Sequence, residues 1–429
     1  MFGLLHHFRR CVTVDRSIDQ PFQGVISLKP LPIYLTAARS VMVSCPTGGG
    51  PCALSTGSHL KTHDPKHLET AEQPPYTNTG GGVELNTNGE PEIQGEETLH
   101  FLLTVPKGPA PAAGFPVTLV LHDVVLNALL RSVQQVQQEL ASDLAAIGMA
   151  MFSIEAPLYQ SRNPGDVPDG SLFFNLTNLQ AARGNIQQGV ADALVARRFV
   201  QALSIPANET GDRNPIAFDA AKTFLVGHSI GAITGALALA IEGGWAGAYL
   251  SSAQGTALLS VFDKTEPAPL LPAVRALLGL PDNERLDAYY PTFALLQAFR
   301  EPAMPAVLAP RIYRWSAGQG LDLWVSQALE DHTAPLEDND ILVLALGLQA
   351  AGETPRPIPA LPLGGGSQRP LPVSLNKRAS DGQRYTAVLS QHPDHDYGSF
   401  FTSVSLRRQL QHWLRSKVET GAAELPPAP

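Results

Sequence analysis

The residues with the clearest chemical content are Gly227-His228-Ser229-Ile230-Gly231. They follow the apolar run Phe224-Leu225-Val226 and precede an Ala/Leu-rich segment, so a strand, a tight turn and a helix are expected in that order. A serine on such a turn is lifted out of the sheet, with a helix N-terminus aimed at any negative charge that develops beside it. Glycines on both sides are needed because side chains there would collide with the neighbouring strand and helix. A serine hydroxyl attacks a carbonyl only when a base takes its proton, and the base needs an acid to orient it.

An acid is expected past a later strand and a base past the last one. The apolar run Leu321–Ser326 leads into Ala328-Leu329-Glu330-Asp331-His332-Thr333-Ala334-Pro335. Asp331, with a proline four residues on, is the expected acid; Glu330 and Glu353 are the alternatives. Tyr385–Leu389 leads into Gln391-His392-Pro393-Asp394-His395-Asp396-Tyr397-Gly398. His395 lies between two aspartates, ahead of the expected last helix, and is the expected base. His392, restricted by the following proline, is the alternative. An oxyanion site is expected from the N–H of Ile230 and from the loop His122-Asp123-Val124, with Asp123 and Val124 as its members.

These residues need a scaffold that brings the ends of several strands together. Runs at 98–105, 117–121, 149–154, 223–226, 248–251, 321–326 and 385–389 read as strands. Segments at 133–147, 183–203, 232–241, 336–348 and 404–417 read as helices on their three- and four-residue apolar spacing. This alternation predicts an α/β fold with a mostly parallel central sheet and helices on both faces. Residues 256–318 break the alternation. They are rich in Pro and Leu and are expected to form a helical cap. Residues 352–380 are a Pro/Gly-rich surface loop. The domain expected to hold all this spans 74–429, with 1–73 as a poorly ordered extension.

The chain has 429 residues, of which 44% are hydrophobic and 16% charged, which favours a packed core over disorder. A net charge of −9 and the lack of any Lys/Arg run exclude a nucleic-acid partner. The most apolar stretch, Phe224 to Ala240, is too short and interrupted for an integral membrane span. The three cysteines, Cys11, Cys45 and Cys52, all precede the expected domain, so no disulfide framework or zinc cluster is expected within it. No standard signal peptide starts at Met1. The apolar segment Leu31–Cys45, followed by Gly/Ser/Pro-rich sequence, imitates a lipoprotein signal, although Arg39 interrupts it.

The region from about Pro74 to Trp413 resembles the α/β-hydrolase superfamily. More particularly it is similar to bacterial secreted esterases and lipases of the virulence-factor lipase type. The residues that carry the likeness are Pro74-Pro75-Tyr76 with Gly80-Gly81-Gly82, Thr104-Val105-Pro106-Lys107-Gly108, His122, Arg162-Asn163-Pro164-Gly165, Phe173-Phe174-Asn175, Gly227–Gly231, Asp331–Pro335 and the His395 region. The resemblance implies ester hydrolysis by Ser229, His395 and Asp331, no cofactor, a small-molecule ester or lipid substrate, and an extracytoplasmic location. It leaves open a weakly active or inactive binding protein, and an acyltransferase or amidase on the same residues. Two positions depart from the pattern. Asp123 stands where glycine is usual, and Gln160 stands where histidine is usual. A carboxylate at position 123 would oppose an oxyanion.

Overall fold

A computed structural model describes residues 22–25, 54–55, 83, 85–88, 91, 98–107, 109–123, 133–159, 162, 173–175, 178–207, 215–256, 258–266, 268–281, 283–315, 320–364 and 368–429. They fall into two compact units, residues 1–120 with 148–220, and residues 121–147 with 221–429. The three cysteines, Val124, Gln160 and the motifs at 74–82 and 163–165 lie outside the described residues.

The first unit is built on β1 (Phe22–Val25), β2 (Leu54–Ser55), β3 (Thr98–Thr104), β4 (Phe115–Leu121) and β5 (Ala150–Ile154). β3 pairs antiparallel with β1, β2 and β5, and β4 pairs parallel with β5. Two short strands thus lie within residues 1–73, ahead of the expected start of the domain. The runs Phe-Pro-Val-Thr-Leu-Val-Leu of β4 and Ala-Met-Phe-Ser-Ile of β5 are buried at every position, the pattern of strands covered on both faces. The helix Leu179–Ala202 belongs to this unit. Its N-cap is Asn178, whose side chain accepts from the Ala181 N–H at 3.1 Å. It also holds Asp192, which pairs with Arg162 at 2.8 Å with both side chains almost wholly buried.

β6 (Ser204–Ile205) pairs antiparallel with the start of the long strand β7 (Ile216–His228). The end of β7 opens the second unit. There it runs parallel to β8 (Gly247–Ser251), which runs parallel to β9 (Leu323–Ala328). β9 pairs parallel with β14 (Ala387–His392), and β14 with β10 (Gln349–Ala350). Helices Val133–Ala146, Ile230–Ile241, Leu336–Ala345 and Val404–Thr420 accompany these strands. The expected α/β fold with a mostly parallel sheet is the one found. None of the described helices is long and apolar enough to cross a membrane.

Small residues let the helix Ile230–Ile241 pack closely, and eleven of its twelve residues are buried. The last helix starts at Ser403, whose hydroxyl accepts from the Leu406 N–H, and ends at Gly421 in the left-handed region at φ 82°. After that turn the chain adds β15 (Glu424–Leu425), which pairs antiparallel with β11 (Val373–Ser374). The buried Asp322 carboxylate fastens this end. It accepts from the N–H groups of Thr386 and Ala423 and pairs with Lys417 at 2.6 Å. The Pro/Gly-rich stretch 352–380 therefore holds β11 and β12 (Lys377–Arg378), the latter paired with β13 (Arg384–Tyr385).

The segment 256–318 holds the helices Leu258–Asp263, Leu270–Leu277 and Pro291–Arg300 and shorter turns up to Trp315. Val261, Val274 and Phe293 form a small core of its own, flanked by Leu258, Phe262, Leu271 and Tyr290.

Candidate active site

Four parallel strands of the second unit end side by side, and the loops that follow them carry the candidate residues. Ser229 follows β7, Ser252 follows β8, Asp331 follows β9 and His395 follows β14. The carboxyl ends of parallel strands are where α/β sheets build their sites.

Ser229 sits at φ 54° and ψ −118°, a backbone conformation that non-glycine residues rarely adopt. Such strain costs about 1–3 kcal/mol and persists only when its surroundings enforce it. Here the Ser229 N–H donates to the Ser251 carbonyl at 2.9 Å, while the helix Ile230–Ile241 begins on the next residue. Both flanking glycines are required by space. A Cβ at Gly227 would lie 2.5 Å from the Gly231 carbonyl oxygen, and one at Gly231 would lie 2.0 Å from the Leu121 carbonyl oxygen. The second contact places the end of β4 directly against the turn. The His122 carbonyl oxygen lies 3.0 Å from the same point, so His122 too sits against the turn.

His228 is 1% exposed, and neither ring nitrogen has a hydrogen-bond partner among the described residues. Its ring packs against Tyr397, Phe400 and Phe401, with centroids 4.6, 5.4 and 4.8 Å away. Burial pushes its pKa down to about 3, so it is a neutral, structural imidazole.

Asp331 occupies a turn shaped for a carboxylate. Its Oδ1 accepts from the N–H groups of Thr333 at 2.9 Å and Ala334 at 2.8 Å. Its Oδ2 accepts from the Ser252 hydroxyl at 2.7 Å. Burial nevertheless pushes its pKa up to about 6, against the pull of these donors and of Lys264. Glu330 does not share this environment. It contributes its N–H to the His395 carbonyl at 2.9 Å, which joins the acid turn to the loop after β14. Glu353, the remoter alternative, lies past β10.

The two histidines of that loop bond to serines of their own neighbourhood. His395 Nε2 is 2.9 Å from Ser403 Oγ, so one hydroxyl both caps the last helix and holds this ring. His392 Nε2 is 2.9 Å from Ser390 Oγ. The rings lie 5.0 Å apart, and neither hydrogen-bonds to Ser229 or Asp331 in this arrangement. Burial lowers both, His392 to about 4 with His395 adding to the effect, while Asp394 and Asp396 counter the shift at His395.

The group that does meet Ser229 is Tyr397. Its ring is 6% exposed, and its hydroxyl donates to Asp123 Oδ2 while lying within hydrogen-bonding reach of Ser229. Asp123 is fully buried, so its carboxylate turns inward to the phenol instead of to solvent. Burial and the adjacent Asp123 push the Tyr397 phenol well above the usual range. Lys264, at the end of the first helix of the 256–318 segment, is close enough to Asp123 and Asp331 for their charges to counter the lowering caused by its burial. Sequence reasoning did not single out Tyr397, Ser252 or Lys264. A polar aromatic two residues past His395 was a readable signal. Ser252 and Lys264 carried none, because only the fold brings them to Asp331.

No protein-family model and no curated protein sequence matches the chain. Among solved structures it is similar to the acylaminoacyl peptidase of Pyrococcus horikoshii, at 12% identity and a TM-score of 0.44, covering 76% of this chain and 40% of that one. It is also similar to an acetyl xylan esterase from Paenibacillus sp. R4, at 14% identity and a TM-score of 0.42, covering 70% of this chain and 74% of that one. A third is a 2,6-dihydroxy-pseudo-oxynicotine hydrolase, at 13% identity and a TM-score of 0.42, covering 77% and 67%. The chain thus spans 40% of the peptidase's length. The chain's own strands show the fold: a strained serine after β7, an aspartate turn after β9 and a histidine-bearing loop after β14 follow adjacent parallel strands with helices around them, in an α/β fold with a mostly parallel sheet.

Proposed function

We propose that this chain is a serine hydrolase acting on carboxylic esters through an acyl-enzyme on Ser229. The observation that carries the reading is the turn itself: a serine at φ 54°, between two glycines with no room for a Cβ, at a helix N-terminus. Such strain is kept where function uses it, and a half-buried nucleophile lifted out of the sheet explains it here. Ser229 attacks the ester carbonyl, the Ile230 N–H and the loop at Asp123 and Val124 receive the oxyanion, and water later releases the acid.

Chain order offers Asp331 and His395 as acid and base of the engaged site. Asp331 supports its part, since two backbone N–H groups fix its Oδ1 and leave Oδ2 for one side-chain donor. The arrangement with both histidines turned to serines favours a second reading, a hydrolase-fold binding protein with an unactivated serine.

A fluorophosphonate probe separates the two. An activated Ser229 is labelled, and Ser229→Ala removes both the label and the hydrolysis of p-nitrophenyl acetate. Absence of labelling in the folded wild type, or labelling that survives Ser229→Ala, would overturn the hydrolase reading.

A further inference from the structure

We propose that Tyr397, backed by Asp123, carries the proton that Ser229 must lose. This rests on Ser229 as the nucleophile and needs no movement of an imidazole. Three geometric facts support it. The Tyr397 hydroxyl donates to Asp123 Oδ2 and reaches Ser229, so the three oxygens form one chain. The phenol ring is fixed by the turn it serves, its centroid 4.6 Å from that of His228, the residue before the nucleophile. Both partners are buried, Tyr397 at 6% exposure and Asp123 at 0%, so water does not compete for the link.

Tyr397 cannot act as a standing base, because burial and Asp123 keep its phenol protonated. A relay needs no tyrosinate. As Ser229 Oγ bonds to the carbonyl carbon, its proton passes to Tyr397 Oη, and the Tyr397 proton passes to Asp123. The carbonyl π pair moves onto oxygen and forms the oxyanion. When that intermediate collapses, the proton returns from Asp123 through Tyr397 to the leaving alcohol oxygen. That oxygen keeps the electron pair of the broken C–O bond. Water repeats the sequence in deacylation. Nothing is oxidised or reduced.

The relay also accounts for an acid in the position where glycine is usual. The relay needs Asp123 as the carboxylate before attack, and Lys264 is a cation near enough for the two charges to act on each other. Once the oxyanion forms, Asp123 is protonated and neutral, so two negative charges never face each other across the site. An Asp123 without Tyr397 would oppose the reaction, and with it Asp123 accepts the proton.

The test uses the full chain with Tyr397→Phe and Asp123→Asn, each checked for an unchanged unfolding transition. Both are expected to lower kcat on p-nitrophenyl acetate by roughly 100-fold or more, the usual size of an acid–base contribution, with KM within about threefold. Replacing Tyr397 with 3,5-difluorotyrosine keeps the shape and makes the phenol more acidic. A proton carrier then changes kcat, whereas a purely structural ring leaves it unaltered. Full kcat in Tyr397→Phe, or no response to fluorination, overturns the relay and leaves the hydrolase reading standing. A wild type that neither hydrolyses esters nor takes the probe overturns both.

Discussion

At the scale of single residues, the site holds its carboxylates against their preference for water. Asp331 is 6% exposed, and burial pushes its pKa from 3.8 to about 6. The folded state therefore holds this proton more tightly than the unfolded chain does. Its contribution to stability is complete below about pH 4 and is lost as pH rises through about 6, a difference of about 3 kcal/mol. Asp331→Asn keeps an acceptor for Thr333 and Ala334 and supplies a donor for Ser252. It should raise the unfolding temperature by a few degrees at pH 8, with the gain vanishing near pH 4, and should lower ester turnover. A lower unfolding temperature at pH 8 would show that the carboxylate is favourably held. The places of Ser229 and Asp331 were legible in the sequence: a serine between two glycines after an apolar run, and an aspartate just past another such run with a proline four residues on. The orientation of His395 was not readable. It depends on Ser403, eight residues on, whose helix-capping role gives no hint that it also binds the ring.

At the scale of elements, the turn at Ser229 depends on the packing of Leu121, where the second unit begins, against the start of the helix Ile230–Ile241. The Leu121 carbonyl oxygen sits where a side chain at Gly231 would go, 2.0 Å from an added Cβ. Since that oxygen belongs to backbone, relief requires moving the strand end or the helix. Gly231→Ala should destabilise the protein by about 1–3 kcal/mol, as overpacking does elsewhere, and should cost activity beyond its share of stability because Leu121 and His122, which lead into the proposed oxyanion site, shift too. Unfolding by urea together with kcat on the remaining folded enzyme checks this; unchanged values for both would show that the two elements are not pressed together. Strands and helices with strong periodicity were legible to within a few residues, as with Val133–Ala146 and Val404–Thr420. The polar first half of β7 and the two-residue strands β10 to β13 were not. Their pairing is set by distant partners, which a local pattern does not encode.

At the scale of the whole molecule, the segment 256–318 has its own small core of Val261, Val274 and Phe293, and Lys264, just past its first helix, is near Asp123 and Asp331. We expect it to shape an apolar acyl pocket. On p-nitrophenyl esters of rising chain length, kcat/KM should climb beyond acetate by about tenfold or less per two added methylenes. A maximum at acetate would remove the case for a lipid-like acyl group. The alternation of strand and helix made the sheet and its site legible as a class. The short strands ahead of Val83 lay in sequence with no such pattern. The far end of the chain carries one more consequence, and it is practical. Gly421 to Leu425 close over Asp322: the Ala423 N–H serves its carboxylate, the Ala423 carbonyl serves Ser374 and Thr386, and both Ala423 and Leu425 are fully buried. Anyone attaching a purification handle or a surface linker should therefore leave residues through Pro426 intact, since Gln409 also donates to its carbonyl. A fusion joined at Thr420 would take the Ala423 N–H from Asp322 and uncover the sites that Ala423 and Leu425 fill, and so spoil the very preparation it was meant to improve.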